Sequence, residues 1–310
     1  MSADAACANP KNELNTNLPF VESAPYKMID IGANLTSRAF NNRELDEVIE
    51  RAKEAGVCKI MVTGSSLDGS REALRLTRLY PGYLYCTAGV HPHDAKNFEH
   101  TQLEEISELA KNKECVAIGE CGLDFNRNFS PPEVQLEVFE TQVKLACDLH
   151  KPLFIHEREA HQDMIRILKR YQDRLPPTVI HCFTGTMDEA KAYFNMGLYI
   201  GLTGFIWKDK LEDGVQYGLK NGLIPLERLL IETDAPFMYP NIKAKKIAKN
   251  IQDRISEHAK RYLFKYCNFQ RNEPCSLAAV AELIAAFMNV PAEEVAFNTT
   301  VNAVKVFGLD

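Results

Sequence analysis

Short apolar runs alternate along the chain with longer segments in which apolar residues recur at helical spacing. The runs are rich in β-branched and aromatic residues, as strands are. They lie at 28–32, 58–63, 83–88, 115–119, 153–156, 178–182, 198–202 and 228–231. The helical segments lie near 42–55, 66–80, 101–111, 133–149, 159–173, 186–196, 211–220 and 276–289. Such strict alternation predicts a parallel sheet with crossover helices.

Eight strand–helix units in a chain of 310 residues predict a single domain of the α/β class, a closed (β/α)8 TIM barrel. The structural alternative is a doubly wound open sheet, but no glycine-rich dinucleotide-binding turn follows the first strand. We therefore expect the barrel to occupy residues 27–310. Residues 1–26 are rich in Ala, Asn, Pro and Ser and lack an apolar period, which predicts a flexible N-terminal tail.

A long polar segment at about 241–272, the basic insert, breaks the alternation between the last strand and the last helix. Its basic residues, opposed only by Asp253 and Glu257, are Lys243, Lys245, Lys246, Lys249, Arg254, Lys260, Arg261, Lys265 and Arg271. The insert is either a solvated surface helix or loop, as most charge runs are, or a flap that contacts phosphates. A flap in this position would lie at the C-terminal face, where barrel active sites are found.

The net charge of −6 at pH 7 excludes a surface that attracts nucleic acid everywhere, so any DNA contact must come from local basic patches and a bound metal. No apolar run reaches the roughly 20 residues that span a bilayer, and the first 26 residues do not resemble a secretory signal. We expect no membrane association and a cytoplasmic or nuclear protein. The nine scattered cysteines contain no C-x-x-C pair, which is typical of reduced thiols.

Acids and histidines follow or end four of the predicted strands, namely Glu120, His156, His181 and Asp234. Because the C-terminal ends of barrel strands converge on one mouth, we expect these side chains to meet there. Two imidazoles and two carboxylates suit a divalent cation such as Zn²⁺, Mn²⁺ or Mg²⁺ and leave positions for water and substrate. Each residue alone has a structural explanation, such as packing or capping, but the four together predict a catalytic metal site.

Three further residues lie near the same mouth. His91 and His93 flank a proline after the third strand and are candidates for binding metal or a substrate phosphate. Asp30, on the first strand, is a candidate for holding a second cation or for orienting a ligand histidine.

Two arginines are candidates for binding the substrate. Arg158, two residues past His156, and Arg127 are placed to clamp a phosphate through their guanidinium groups. The alternative for Arg158 is an ion pair with a neighbouring acid, either Glu157, Glu159 or Asp124.

A cation at this mouth would acidify a bound water, polarise a phosphoryl or carbonyl oxygen and hold the scissile group in line. Asp234 or Glu120 would then accept the proton of the water as general base. These steps fit hydrolysis of a phosphodiester and equally hydrolysis of an amide.

The motifs resemble those of the TatD family of metal-dependent deoxyribonucleases, within the amidohydrolase-like superfamily. The segments that carry the resemblance are 30–36 (DIGANLT), 88–93 (AGVHPH), 117–124 (AIGECGLD), 154–156 (FIH), 181–185 (HCFTG), 232–236 (ETDAP) and 271–274 (RNEP). The resemblance implies a barrel that hydrolyses DNA with Mg²⁺ or Mn²⁺ as a deoxyribonuclease or 3′–5′ exonuclease, with links to DNA repair and degradation. It also implies that Glu120, His156, His181 and Asp234 bind the metal and that His91 and His93 are catalytic or bind substrate.

The chain departs from the commoner family pattern at the first strand, where many members carry His-x-His and this sequence has Gly32 and Asn34. Neither residue supplies an imidazole, so the number of ions, one or two, stays open. Two other functions also stay open. The barrel could hydrolyse an amide or ester such as a D-aminoacyl-tRNA, or it could be a nucleic-acid-associated barrel whose site has decayed.

Overall fold

The computed structural model describes residues 24–40 and 44–309. Its sheet has eight parallel strands in the order β1 to β8, and they alternate with helices, which confirms the predicted (β/α)8 barrel. The strands are β1 (Met28–Ala33), β2 (Val57–Val62), β3 (Leu84–Ala88), β4 (Cys115–Asp124), β5 (Leu153–Arg158), β6 (Thr178–Ile180), β7 (Tyr199–Leu202) and β8 (Leu229–Ile231).

Eleven α-helices pack around and beneath these strands in the described part of the chain. They are α1 (Leu45–Glu54), α2 (Leu67–Leu79), α3 (His100–Ala110), α4 (Pro132–Leu149), α5 (His161–Arg170), α6 (Met187–Asn195), α7 (Val215–Lys220), α8 (Lys249–Gln252), α9 (Glu257–Tyr266), α10 (Leu277–Met288) and α11 (Ala292–Phe307). All eight predicted helices are present. Helices α8, α9 and α11 were not predicted from the sequence.

The barrel closes just beyond the end of β8, where Ala33 and Ala235 form a single parallel bridge. The backbone N–H of Asp234 donates to the carbonyl of Gly32 at 2.8 Å, and that of Asn34 donates to the carbonyl of Ala235 at 2.7 Å. Because of these bonds, the segment that follows β8 runs alongside the end of β1. Asp234 is therefore fixed at the seam of the barrel, on its C-terminal mouth.

The interior of the barrel is an apolar core of its own, separate from the core between sheet and surrounding helices. Its strand residues are Ile29, Ile31, Met61, Val116, Ala117, Phe154, Val179, Tyr199 and Leu230. The end of α11 adds Ala303, Val306, Phe307 and Leu309 to this cluster. Helix α11 therefore closes the N-terminal end of the barrel, and only the C-terminal mouth is available for a site.

Asn302 fastens α11 to the barrel, because its Nδ2 donates to the carbonyls of Leu226 and Leu229 at 2.7 and 2.8 Å. We expect Asn302→Ala to lower the free energy of unfolding by about 2 kcal/mol, since one buried and one part-buried carbonyl lose their donor. Asn298→Ala, one turn earlier on an exposed face, removes only a bond to Glu294 and serves as the control. Urea denaturation of both variants measures the difference, and equal midpoints would contradict the role of Asn302.

The basic insert at 241–272 is a folded part of the barrel wall. It contains α8 and α9, and its apolar side chains Ile247, Ile251, Ile255 and Leu263 are buried in the main core. Most of its basic side chains point outward, where Lys249 pairs with Asp253 in the same helical segment. In the sequence, the many charged residues between these apolar positions obscured their helical spacing.

The predicted tail at 1–26 mostly falls on residues 1–23, which lie outside the described residues. Residues 24–26 join the fold, because the half-buried Tyr26 packs on the core and its hydroxyl donates to Glu282 of α10. Residues 24–26 therefore belong to the folded domain, although they were predicted as part of the tail. In the described residues, no single helix is long and apolar enough to span a membrane. The segments Pro274–Met288 and Ala292–Phe307 meet these two criteria only when they are taken together, and they are bent by 114° relative to each other.

Candidate metal centre

Glu120 is brought to the mouth by an extension of β4 that the apolar pattern did not predict. The strand continues to Asp124, five residues past its predicted end at 119, and its register against β5 shifts between Ile118 and Cys121. The backbone N–H of Glu120 donates to the carbonyl of Gly64 at 2.8 Å, and the side chain is 9% exposed. The extension turns a buried carboxylate inward over the barrel interior.

Three imidazoles surround one oxygen of the Glu120 carboxylate. Oε1 lies 2.8 Å from Nε2 of His181, 3.2 Å from Nε2 of His91 and 3.2 Å from Nδ1 of His156. One ligand atom each from His91, Glu120 and His156 lies within 4.8 Å of the others, which is the size of a metal site. The structure therefore brings together three of the four expected ligands, Glu120, His156 and His181, and adds His91 to them.

Asp234, the fourth expected ligand, lies at the same mouth in a left-handed backbone conformation with φ of 49°. Its Oδ1 accepts a hydrogen bond from Nδ2 of Asn34 at 2.8 Å. Burial raises the pKa of Asp234 to about 7, and nearby Glu120 and Glu232 add to the rise while His181 opposes it. Its charge is thus coupled to the cluster, although none of its direct hydrogen bonds is to a histidine.

His181 is held from behind by Glu232, a fully buried carboxylate at the end of β8. Oε2 of Glu232 lies 3.4 Å from Nδ1 of His181, and Oε1 accepts a hydrogen bond from the backbone N–H of Cys182 at 2.6 Å. A carboxylate that binds the second nitrogen of a ligand histidine fixes its tautomer and ring orientation. Glu232 belongs to the 232–236 motif, but no role for it was predicted from the sequence.

His93 and His156 share a second carboxylate, that of Asp124. Its Oδ2 lies 2.7 Å from Nε2 of His93 and 3.5 Å from Nε2 of His156. Burial would raise the pKa of Asp124, but these imidazoles and the backbone N–H of Arg127 hold it well below its usual range. Asp124 therefore stays ionised and holds the ring of His93, whereas its distance to His156 is longer than an ordinary hydrogen bond.

The charges around Glu120 support one another. Burial would raise the pKa of Glu120, but the neighbouring His91 and His181 hold it well below its usual value. Burial would lower the pKa of His181, yet Glu120 and Glu232 raise it well above that of a free imidazole. Burial lowers the pKa of His91. A permanently ionised carboxylate among imidazoles is a donor set that a divalent cation can bind by displacing protons.

His156 provides a test of whether these residues fit a metal. Its Nε2 atom is buried and makes no hydrogen bond within the described part of the chain, since Asp124 lies slightly too far away. A buried nitrogen without a partner is costly unless something fills the space beside it. The residues present therefore fit a bound cation.

Asp30, the remaining strand-one candidate, has its carboxylate fully engaged by protein donors. It accepts hydrogen bonds from the backbone N–H groups of Gly32 and Thr233 at 3.2 and 2.9 Å and from the Thr233 hydroxyl at 2.5 Å. Burial raises its pKa to about 8. These contacts position the segment that carries Asp234, and within the described part of the chain none of them is to a histidine.

The two candidate arginines lie on the mouth without carboxylate partners. Arg158 ends β5, and its guanidinium has no hydrogen bond or ion pair among residues 24–40 and 44–309, so the ion-pair alternative is wrong for the described chain. Arg127 is exposed, and only its backbone N–H binds Asp124. Glu157 instead binds the Ala160 backbone and the Tyr193 hydroxyl. Both guanidinium groups therefore remain available to a phosphate.

Comparisons with known proteins agree with one another. The sequence model of the family described as TatD related DNase matches residues 29–308. A protein of Erwinia tasmaniensis named 3′-5′ ssDNA/RNA exonuclease TatD is 41% identical over 282 residues, which cover 91% of this chain and all of that protein. A protein of the same name from Escherichia coli K12 is 40% identical, covering 91% of this chain and 99% of its own. The crystal structure of a hydrolase TatD family protein from Entamoeba histolytica is 28% identical with a TM-score of 0.76, covering 93% of this chain and 100% of that one.

Proposed function

Because the chain belongs to the family of TatD-related DNases, we propose that it is a divalent-metal-dependent hydrolase that removes nucleotides from the 3′ end of DNA. Single-stranded DNA is the proposed substrate and RNA a second one, in line with the names of the relatives. The observation that carries the proposal is the cluster of three imidazoles within 3.2 Å of one Glu120 oxygen, at the C-terminal mouth of a barrel. A role in DNA repair or degradation stays a prediction.

Glu120, His156, His181 and Asp234 would hold the cation, for which we propose Mg²⁺ or Mn²⁺, with Zn²⁺ as the alternative that imidazole ligands suit. His91 lies close enough to Glu120 to join this set or to bind a substrate phosphate.

One ion is favoured over two by the geometry of β1. A Cβ atom at Gly32 would lie 2.3 Å from Oε2 of Glu232, so a histidine at this position would displace that carboxylate from its place beside His181. The amide of Asn34 is already bound to Asp234. The two positions that carry His-x-His elsewhere in the family are therefore used here to hold the protein's own acids.

A bound divalent cation supplies an acidified water and polarises a phosphoryl oxygen. Asp234, whose carboxylate lies at the same mouth, would accept the proton of the attacking water as general base. His93, held by Asp124 at 2.7 Å, is placed to donate a hydrogen bond or proton to the departing 3′ oxygen. Arg158 and Arg127 would bind phosphates of the strand through their free guanidinium groups.

A 5′-labelled single-stranded oligonucleotide tests the proposal. With Mg²⁺ or Mn²⁺ we expect a ladder of products that shortens from the 3′ end, its loss in excess chelator, and its recovery when the metal is restored. A ladder that persists in chelator, or that is unaffected by a blocked 3′ end, would contradict the proposal. Turnover of an aminoacyl ester or a cyclic amide without cleavage of nucleic acid would establish the amide or ester alternative.

Glu232→Gln is expected to weaken Mn²⁺ binding about 10–100-fold, because the ring of His181 loses the charge that orients it. Calorimetric titration of the purified protein with Mn²⁺ measures this change, and the pH dependence of binding should shift with it. Glu227→Gln, at the opposite end of β8 and exposed, is the matched control. Wild-type affinity in Glu232→Gln, together with a lowered melting temperature, would show that Glu232 supports only the fold.

A further inference from the structure

A cavity of about 310 Å³ opens on the C-terminal face of the barrel beside the proposed metal centre. Its walls come from the residues that follow the ligand-bearing strand ends. Arg158 comes two residues after His156, and Phe183 comes two residues after His181. Thr203, directly after β7, lines a further side. The backbone therefore places this cavity next to the site of hydrolysis.

The lining of the cavity carries a surplus of positive charge. Arg158, Lys208 and Lys210 contribute cations, and Asp209 is the one carboxylate among the described lining residues. Both oxygens of Asp209 accept hydrogen bonds from backbone N–H groups, at 3.1 and 2.8 Å, so it neutralises none of these cations by direct pairing. An anion that enters the cavity would meet an unpaired guanidinium at Arg158.

Aromatic rings continue from this cavity toward the basic insert. Phe205 lines the cavity, with Nζ of Lys208 at 5.0 Å from its ring centre. Trp207, in the same turn, lies edge-to-face with Phe269 at 6.1 Å, and Nζ of Lys246 lies 5.6 Å from the indole. Phe269 is 67% exposed although it is a large apolar side chain. The result is a row of rings and cations that leads away from the metal centre.

We propose that this cavity binds one unpaired nucleotide of the substrate, with its base against Phe205 and its phosphate on Arg158. The following nucleotides toward the 5′ end then pass over Trp207 and Phe269. Aromatic faces stack on any base and cations neutralise phosphates, so such a path holds single strands without reading sequence. An extended surface is needed to bind the remaining strand, which has many nucleotides. It is not needed to bind the single nucleotide that is released from the 3′ end. The proposal rests on the proposed function, because it locates the strand upstream of the scissile bond.

Single-stranded ten-nucleotide substrates with one abasic residue, at the second, third or fourth position from the 3′ end, test this assignment. In the wild type we expect one of these positions to raise KM about 10-fold relative to the intact strand. Phe205→Ala should raise KM for the intact strand by a similar factor and abolish the penalty at that same position. Phe205→Leu, which keeps most of the volume without the aromatic face, should behave alike if Phe205→Ala folds poorly. Arg158→Ala should raise KM. The slope of log KM against log salt concentration should also decrease by about the amount that one phosphate contact contributes.

The controls are Phe297→Ala and Lys113→Ala, which remove an exposed ring on α11 and a 92% exposed cation before β4. Both should retain wild-type KM with every substrate. Hydrolysis of bis(p-nitrophenyl) phosphate by the wild type with Mn²⁺ reports on the metal centre without a nucleotide. If the wild type cleaves neither substrate, the proposed function fails. If it cleaves both, and neither the abasic residues nor the Phe205 and Arg158 variants change KM, the cavity proposal is overturned and the proposed function stands.

Discussion

Glu120→Ala is expected to lower kcat on single-stranded DNA by at least about 10³-fold, equivalent to about 4 kcal/mol of transition-state stabilisation. The substitution removes a proposed metal ligand and also the oxygen that three imidazoles share within 3.2 Å. Without that negative charge the imidazoles lose their common partner, and the cation loses a buried anionic ligand. Mn²⁺ affinity, measured by calorimetry on the same preparation, should therefore fall together with kcat.

Two companion variants separate charge from shape at this position. Glu120→Gln keeps the size of the side chain but not its charge, and we expect it to be nearly as inactive as the alanine variant. Glu137→Gln makes the same chemical change on a side chain of α4 that is 70% exposed, and it should retain wild-type activity. More than a tenth of wild-type kcat in Glu120→Ala would exclude this residue as a ligand and remove the basis of the proposed centre.

Gly122→Ala is expected to lower the free energy of unfolding by roughly 4 kcal/mol, one of the largest effects of a single substitution. Gly122 has φ of +145°, and a Cβ there would lie 1.9 Å from the carbonyl oxygen of His156. The energetic cost of the unfavourable backbone conformation adds to the cost of the steric clash. The clash could be relieved only if β4 and β5 moved apart. The melting temperature should fall by about 10 °C, given 2–4 °C per kcal/mol for a domain of this size.

Gly82→Ala is the matched control, since Gly82 also has positive φ, +75°, but no atom lies within 4 Å of the added Cβ. We expect it to cost only about 1 kcal/mol, the conformational part alone. Equal melting temperatures for the two variants would show that the close approach of β4 and β5 is not what requires glycine.

The alternation of apolar runs with helical segments was sufficient to predict the barrel, because each buried strand of a parallel sheet must read as a short apolar run. It failed at the second half of β4, where Glu120, Gly122 and Asp124 interrupt the apolar run but the strand continues beside β5. It also missed α11, although Pro291 precedes that helix and Gly308 ends it in a left-handed conformation. Pairing with a neighbouring strand and burial beneath the barrel are tertiary effects that local pattern does not contain.

The position of the candidate site followed from the ends of the strands, but the contacts within it did not. A residue at a strand end is known to face the mouth, which placed Glu120, His156 and His181 together in advance. Which acid would hold which imidazole depends on local turns such as that at Cys182, whose φ is +46°. Glu232 and Asp124 were therefore recognised only from the structure.

The position of α11 beneath the barrel affects the order in which the chain folds during synthesis. Phe307 contacts a core that includes Ile29 and Ile31, so residues almost the whole chain apart must meet before that core is complete. A growing chain folds from its N-terminus as it leaves the ribosome. In this protein, however, the interior core that contains residues of β1 is completed by residues of α11. The barrel interior can therefore close only after α11 has been synthesised, and a chain terminated before that helix would expose the apolar interior of its barrel to chaperones and proteases.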